Sequence, residues 1–267
     1  MQSTYRWDPS TAPDEDSEQE QISGGLHYLD SLAELHRVLE PAFYLEIGVR
    51  HGNSLALAGC PAIGVDPAPE VVRMLPATAF LSTMTSDDFF AGLAAASLPR
   101  APDLAFIDGM HLFEYALRDF MNIERLSTAT TLIAIDDIFP SHPDQAARER
   151  RTRVWTGDVW KLHRCLAELR PDLVLLALDT SPTGLLLVTG LDPDNRVLWD
   201  HYDRIVREHG GDEPPPSAVL ERAGAISPTQ PALDRVLALL RRYREDGASR
   251  QEVTDGIRAA MAAESMQ

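Results

Sequence analysis

Two stretches of the chain end alike. "LAFIDGMHLFEY" (104–115) runs apolar to Ile107 and then presents Asp108, Gly109 and His111, while "LIAIDDIF" (132–139) runs apolar to Ile135 and then presents Asp136 and Asp137. Carboxylates crowded at the ends of buried strands repel, and burying them without partners is costly. A hard divalent cation such as Mg²⁺ removes that cost, with Asp108, Asp136 and Asp137 as oxygen ligands and open positions left for substrate. An imidazole beside carboxylates can take a proton near neutral pH, so His111 is the candidate base and His142, in "FPSHPDQ", the alternative. The competing account gives each acid a local job. Asp108 would cap the following helix, Asp136 would pair with an arginine of "RERRTRVW" (148–155), and Asp137 would cap a loop. The basic stretch could equally be a solvated loop or a lid over a substrate.

The elements that must position these residues alternate. Short apolar runs at 43–49, 62–66, 78–82, 104–108 and 132–136 read as buried parallel strands. Between them lie helix candidates at 52–59, 68–74, 86–97 and 111–126, preceded by an amphipathic helix over 27–40 with Leu29, Leu32, Leu35 and Leu39 on one face. A helix over 158–170 aligns Val159, Leu162, Leu166 and Leu169. Strands at 173–179 and 184–190 follow, so close together that they must form an antiparallel hairpin. The expected fold is an α/β sheet with helices on both faces. Three helices are expected beyond it, over 196–209, over 231–246 with Pro231 at its start, and from a capping box formed by Ser249 and Glu252. This extension (192–267) could pad the sheet, cover the site or join copies of the chain.

"YLEIGVRHGNSLALAG" (44–59) is a strand, a turn and a helix start. Gly48 and Gly52 allow close backbone approach, and the N–H groups near Asn53 and Ser54 are offered to a ligand. One strand later Asp66, in "GVDPAP", can accept the hydroxyls of a ribose. The spacing is not that of a nicotinamide dinucleotide fingerprint, and Glu46 would stand badly beside a pyrophosphate. A cofactor carrying a positive sulfonium suits that carboxylate better.

"LEIGVRHGNS" followed by "GVDPAP" resembles motif I and the next acidic strand end of class I S-adenosylmethionine-dependent methyltransferases. The resemblance covers about residues 26–190 and implies a Rossmann-like, seven-stranded, mostly parallel sheet with an antiparallel last strand. It implies that Glu46, Gly48 and Gly52 line the methionine part of S-adenosylmethionine, that Ser54 also binds the cofactor, that Asp66 holds the ribose, and that Ser86 and Asp87 of "MTSDDFF" lie near the adenine. "FIDGMHLFEYALRDF" in turn resembles a segment of macrocin- and catechol-type O-methyltransferases, whose strand-end acids bind Mg²⁺. That likeness implies Asp108, Asp136 and Asp137 as metal ligands, Asp108 also beside the cofactor, and His111 as base. The sequence departs at Phe113, where those relatives carry tyrosine, and at Met110, where macrocin-type enzymes carry a second acid. The implied activity is methylation of a hydroxyl on a small polyhydroxylated metabolite, such as a sugar or a natural-product glycoside. Three rival readings stand beside it: a metal-independent methyltransferase using His111 alone, an NAD(P)-dependent oxidoreductase, and a non-catalytic partner subunit.

The formal charge of −17 over 267 residues argues against a nucleic-acid or anionic-membrane surface. No apolar run approaches a membrane span, and the N-terminus lacks a signal pattern, so a cytoplasmic location is expected. Cys60 and Cys165 fit neither a disulfide framework nor a metal cluster. Residues 1–25, with "PDEDSEQE" at 13–20, are expected to be a solvated, disordered leader.

Overall fold

A computed structural model describes residues 8–92 and 98–263. Its centre is a seven-stranded sheet of β1 (Tyr44–Ile47), β2 (Ala62–Val65), β3 (Ala79–Ser82), β4 (Leu104–Ile107), β5 (Leu132–Asp136), β6 (Val174–Leu178) and β7 (Leu185–Thr189), in the order β3-β2-β1-β4-β5-β7-β6. The first five strands pair in parallel, and β7 runs antiparallel to both β5 and β6, as the short 178–185 connection demands. The strand order reverses between β1 and β4. In open α/β sheets ligands gather outside the carboxyl ends of the strands at such a reversal.

The helices form two layers. α1 (Tyr28–Leu39) buries Leu32, Leu35 and Leu39 on one face of the sheet, as its periodicity predicts. α2 (Ser86–Ala91), α3 (Phe113–Glu124) and α4 (Trp160–Leu169) follow. Phe113, Leu117 and Phe120 of α3 and Leu162 and Leu166 of α4 pack on the opposite face. The extension adds α5 (Val197–His209), the single turn α6 (Ser217–Leu220), α7 (Pro231–Asp246) and α8 (Arg250–Ala262). α5 joins the α3–α4 layer through Leu198 and Ile205. α7 and α8 join α1 through Leu233, Val236, Leu240, Val253 and Ile257. The last helices therefore pad the sheet, and the Ser249–Glu252 capping box forms as expected.

Three expectations need correction. The helix expected over 52–59 is only a 3-10 turn, Leu55–Leu57, because Gly52 sits at φ +75 and Ala58 leaves helical geometry. Residues 68–74 form no helix. Pro67, Pro69 and Pro76 punctuate the segment, and the Glu70 and Val72 amides bond instead to the Arg50 and His51 carbonyls. The leader is not wholly solvated, since two 3-10 turns, Pro9–Thr11 and Glu18–Glu20, lie within it and Glu20 is buried. Of the helix expected over 86–97, residues 93–97 lie outside the described residues. Among the described residues no helix is long and apolar enough to cross a membrane.

Candidate active site

The loop after β1 is built for close approach. A Cβ on Gly48, at φ +89, would stand 1.9 Å from the Asp108 carbonyl oxygen, so only glycine lets the β1 and β4 ends lie together. Asp66 holds this loop: its Oδ2 accepts the Val49 and Arg50 amides at 2.9 and 2.8 Å, and its Oδ1 accepts the Ala68 amide at 2.7 Å. Oδ1 keeps accepting capacity, but the carboxylate's first task is to shape the turn. Glu46 is fully buried, its two oxygens taking hydrogen bonds from the Tyr44 hydroxyl and the Ser54 hydroxyl, both at 2.7 Å. Burial pushes its carboxyl up to about 8, against those two donors. Glu46 and Ser54, both expected to line a ligand, pair with each other.

The ends of β4 and β5 carry the chemistry. Ile107 pairs in register with Ile135, so Asp108 and Asp136 follow on neighbouring strands. Asp136 Oδ1 takes bonds from the Thr183 hydroxyl at 3.2 Å and the Asp137 amide at 2.9 Å. Asp137 adopts φ +69, and that left-handed turn brings its carboxylate to His111, with Oδ2 2.7 Å from Nδ1. Nδ1 also donates to the Trp155 carbonyl at 2.7 Å, and Nε2 lies 3.5 Å from Asp108 Oδ1. The imidazole lies flat on the Trp155 indole, ring centroids 5.1 Å apart and planes within 2°. Asp108, His111 and Asp137 offer donor atoms that all lie within 4.8 Å of one another. Of the expected ligand set, Asp108 and Asp137 belong to this group together with His111, and Asp136 stands next to it in the chain.

The surrounding shell fixes His111. Asp158 Oδ1 accepts the Phe113 amide at 2.7 Å and so caps α3 two residues beyond the histidine, the job the sequence suggested for Asp108. Asp158 is held in turn by Arg148 at 2.7 Å and the buried Lys161 at 3.1 Å. A Cβ on Gly157, at φ +51, would stand 1.6 Å from the His111 carbonyl oxygen. Tyr28, at the start of α1, stacks on Phe106 at 6.3 Å, and burial together with Asp108, Asp136, Glu46 and Asp137 raises its hydroxyl's pKa far above the usual phenol range.

Electrostatically the cluster is a compromise. Burial alone would lower the His111 imidazole, but Asp137, Asp108 and the Trp155 carbonyl overrule it and push it up to about 9. Burial raises the Asp108 and Asp136 carboxyls above the usual range, and Asp137 beside them raises both further. His111 thus supplies the positive charge that lets the acids sit together. The donor set also fits a divalent cation, with two carboxylates and an imidazole converging from two strand ends.

Residues 45–138, which span β1 through β5 and these strand ends, match the family model described as a methyltransferase domain. The segment that carries the cluster is thus similar to a methyltransferase domain. Among solved structures, cofactor-bound Rv0187 from MTB is 18% identical, with a TM-score of 0.50 over 61% of this chain and 78% of that one. An O-methyltransferase from Bacillus cereus in complex with SAH is 14% identical, with a TM-score of 0.49 over 68% of this chain and 86% of that one. The O-methyltransferase TomG from Streptomyces achromogenes, involved in tomaymycin synthesis and in complex with SAM, is 17% identical, with a TM-score of 0.46 over 61% and 78%. At 18% identity and a TM-score of 0.50, the likeness to Rv0187 is one of fold. No curated protein matches the sequence.

Other expected site residues have partners of their own. Asp87 takes a bidentate pair from Arg118, at 2.8 and 2.7 Å, and Arg118 also reaches the Tyr202 hydroxyl at 2.7 Å. Ser86 is bonded to the buried Asp119. His142 accepts the Asp144 amide at 3.1 Å and stands outside the Asp108–His111–Asp137 group. Tyr28, Gly157 and Asp158 were not singled out in the sequence. Asp158 reads there as the start of its own helix, and nothing in the local pattern points to a partner 45 residues away.

Proposed function

We propose that this chain is an O-methyltransferase that moves the methyl group of S-adenosylmethionine to a hydroxyl of a small polyhydroxylated acceptor, assisted by a divalent cation. The observation that carries the reading is the convergence of Asp108, His111 and Asp137 at the carboxyl ends of β4 and β5, beside the glycine loop. S-adenosylmethionine supplies an electrophilic sulfonium methyl when bound. Gly48 and Gly52 leave room for it, and Asp66 Oδ1 retains a lone pair for its ribose. Asp108 and Asp137 would hold the cation, which lowers the pKa of a coordinated hydroxyl and suits two adjacent acceptor oxygens, leaving the His111 Nε2 lone pair for the proton.

His111 is positioned for the proton. With Nδ1–H shared between Asp137 and Trp155, its neutral tautomer presents the Nε2 lone pair toward Asp108, where an acceptor hydroxyl would stand. The Trp155 stack and the Asp158 cap keep the ring from turning, so acceptor and donor meet in a fixed geometry.

One observation favours a second reading, in which no cation is needed. His111 already bridges Asp137 and Asp108 and balances their charge. Transfer of label from S-adenosylmethionine to a panel of sugars and catechols, run with chelator and then with Mg²⁺ restored, separates the two. Loss and recovery of turnover supports the assisted reaction, and undiminished turnover in chelator leaves the Asp137–His111 pair as the base. Absence of transfer to every hydroxylated acceptor, with intact binding of adenosylhomocysteine, would overturn the choice of substrate class.

A further inference from the structure

Two features of the sequence are not absorbed by this function, the acidic leader and the arginine-rich loop at 148–153. They meet in the fold. Glu20, 8% exposed, lays its carboxylate across the loop's backbone, accepting the Arg153 amide at 2.8 and 2.9 Å and the Val154 amide at 3.1 Å. On either side the Gln145 amide nitrogen donates to the carbonyls of Gln19 and Gln21, at 2.9 and 2.8 Å. The Arg153 guanidinium bonds the Pro13 carbonyl and lies 3.8 Å from Glu15 and from Glu20. Gln145 is fully buried, and its own carbonyl accepts the Thr156 and Gly157 amides at 2.9 and 3.1 Å.

The clamped segment is the one that holds His111. Trp155 stacks on the imidazole and accepts its Nδ1 proton, and Gly157 packs against the His111 carbonyl. Two consecutive amides fixed by one buried carboxylate leave the residue after them little freedom. We infer that Glu20 is a positioning residue for the methyl-transfer site, acting through the 145–157 loop to hold Trp155 against His111. The leader is then a strap across the chain rather than a solvated tail. The inference rests on the proposed role of His111 for its kinetic consequence, while the strap itself stands on the hydrogen bonds.

The test uses the full chain and two readouts. In Glu20→Ala, trypsin should cleave at Arg150, Arg151 or Arg153 roughly tenfold faster or more, as expected when a buried charge-assisted hydrogen bond is lost and the open form grows. Glu20→Gln, which keeps the shape and one acceptor, should fall between. Leu240→Ala, a core truncation on the far face, controls for general loosening and should leave cleavage in this loop near the wild-type rate. In the activity assay Glu20→Ala should lower kcat by roughly tenfold while KM for S-adenosylmethionine stays within about twofold, since His111 loses its orientation but the glycine loop does not. Unchanged cleavage in Glu20→Ala, or equal acceleration by Leu240→Ala, would overturn the strap. Faster cleavage with unchanged kcat would overturn the positioning role. If the wild type methylates nothing, the proteolysis still decides the strap, and failure of the functional reading is seen separately.

Discussion

Replacing Gly157 by alanine tests how tightly His111 is held. The residue sits at φ +51, where an L-residue costs about 1–2 kcal/mol. An added Cβ would also stand 1.6 Å from the His111 carbonyl oxygen and 3.1 Å from the His111 Cβ. Backbone must therefore part by roughly 1.4 Å to reach the 3.0 Å below which such contacts are essentially never found. Neither wall yields easily, because the Asp158 cap pins α3 on one side and Gln145 pins the loop on the other. Overpacking of this kind adds about 1–3 kcal/mol.

Gly247 provides the reference. It follows α7 at φ +66 with nothing within 4 Å of an added Cβ, so Gly247→Ala bears the left-handed cost alone. Calorimetric or urea unfolding of both variants should show Gly157→Ala less stable by an excess of about 1–3 kcal/mol, several degrees in Tm. Its turnover should fall by roughly a hundredfold, as a displacement of about 1 Å at a reacting group implies. Gly247→Ala should turn over normally. Equal stability losses, or normal turnover in Gly157→Ala, would refute the reasoning that this contact sets the histidine.

Calorimetric titration with Mn²⁺ should find that Asp108→Asn and Asp137→Asn each weaken binding by roughly tenfold or more, whereas Asp136→Asn changes it far less. His36 bears on acid stability: burial, with both ring nitrogens unpartnered, holds its imidazole down at about 4. The unfolded chain binds that proton from about pH 6.5 downward, so the contribution is full above that pH and lost as pH falls toward 4. Urea unfolding should show a loss of about 2 kcal/mol between pH 7 and pH 5 that is missing in His36→Leu; equal losses in the two proteins would discount it. Arg170 is 1% exposed and pairs bidentately with Glu124 at 2.7 and 2.8 Å, so Arg170→Met alone should destabilise by about 3–5 kcal/mol. Adding Glu124→Leu should recover much of that in the same unfolding assay, because no buried charge is then left without its partner.

What the sequence makes legible is what repeats with a period. Leu32, Leu35 and Leu39, or Leu233, Val236 and Leu240, mark their buried faces by spacing alone, and both faces form as read. The strand runs are equally plain, because a strand covered on both faces must be apolar throughout. Spacing fails where backbone conformation is set by single residues. The segment around Pro67, Pro69 and Pro76 carries apolar residues in helical phase, yet its amides go to the neighbouring loop. It fails again where partners are far apart in the chain, as with Glu20 and Arg153, or Asp158 and Phe113, for which one sequence carries no trace of the pairing.

The strand-end acids show how fine that limit is. Parallel register places Asp108 beside Asp136, and pattern reasoning takes both as ligands together with their neighbour. In an extended strand successive side chains point to opposite faces, so Asp136 and Asp137 cannot both face the same crevice while the strand continues. The chain resolves this at Asp137, where φ +69 ends β5 and brings one carboxylate to His111, while Thr183 and the Asp137 amide hold the other. Aspartate tolerates the left-handed region better than most residues. The pair is then a division of labour: Asp136 closes the strand end against the β6–β7 hairpin, and Asp137 reaches the cluster. Asp137→Gly separates the turn from the carboxylate. It should keep Asp136 buried and the fold intact, because glycine accepts φ +69 without strain, while His111 loses its partner. A stable protein whose turnover falls as far as that of Asp137→Asn would fit this division, and a Gly variant that turns over normally would refute it.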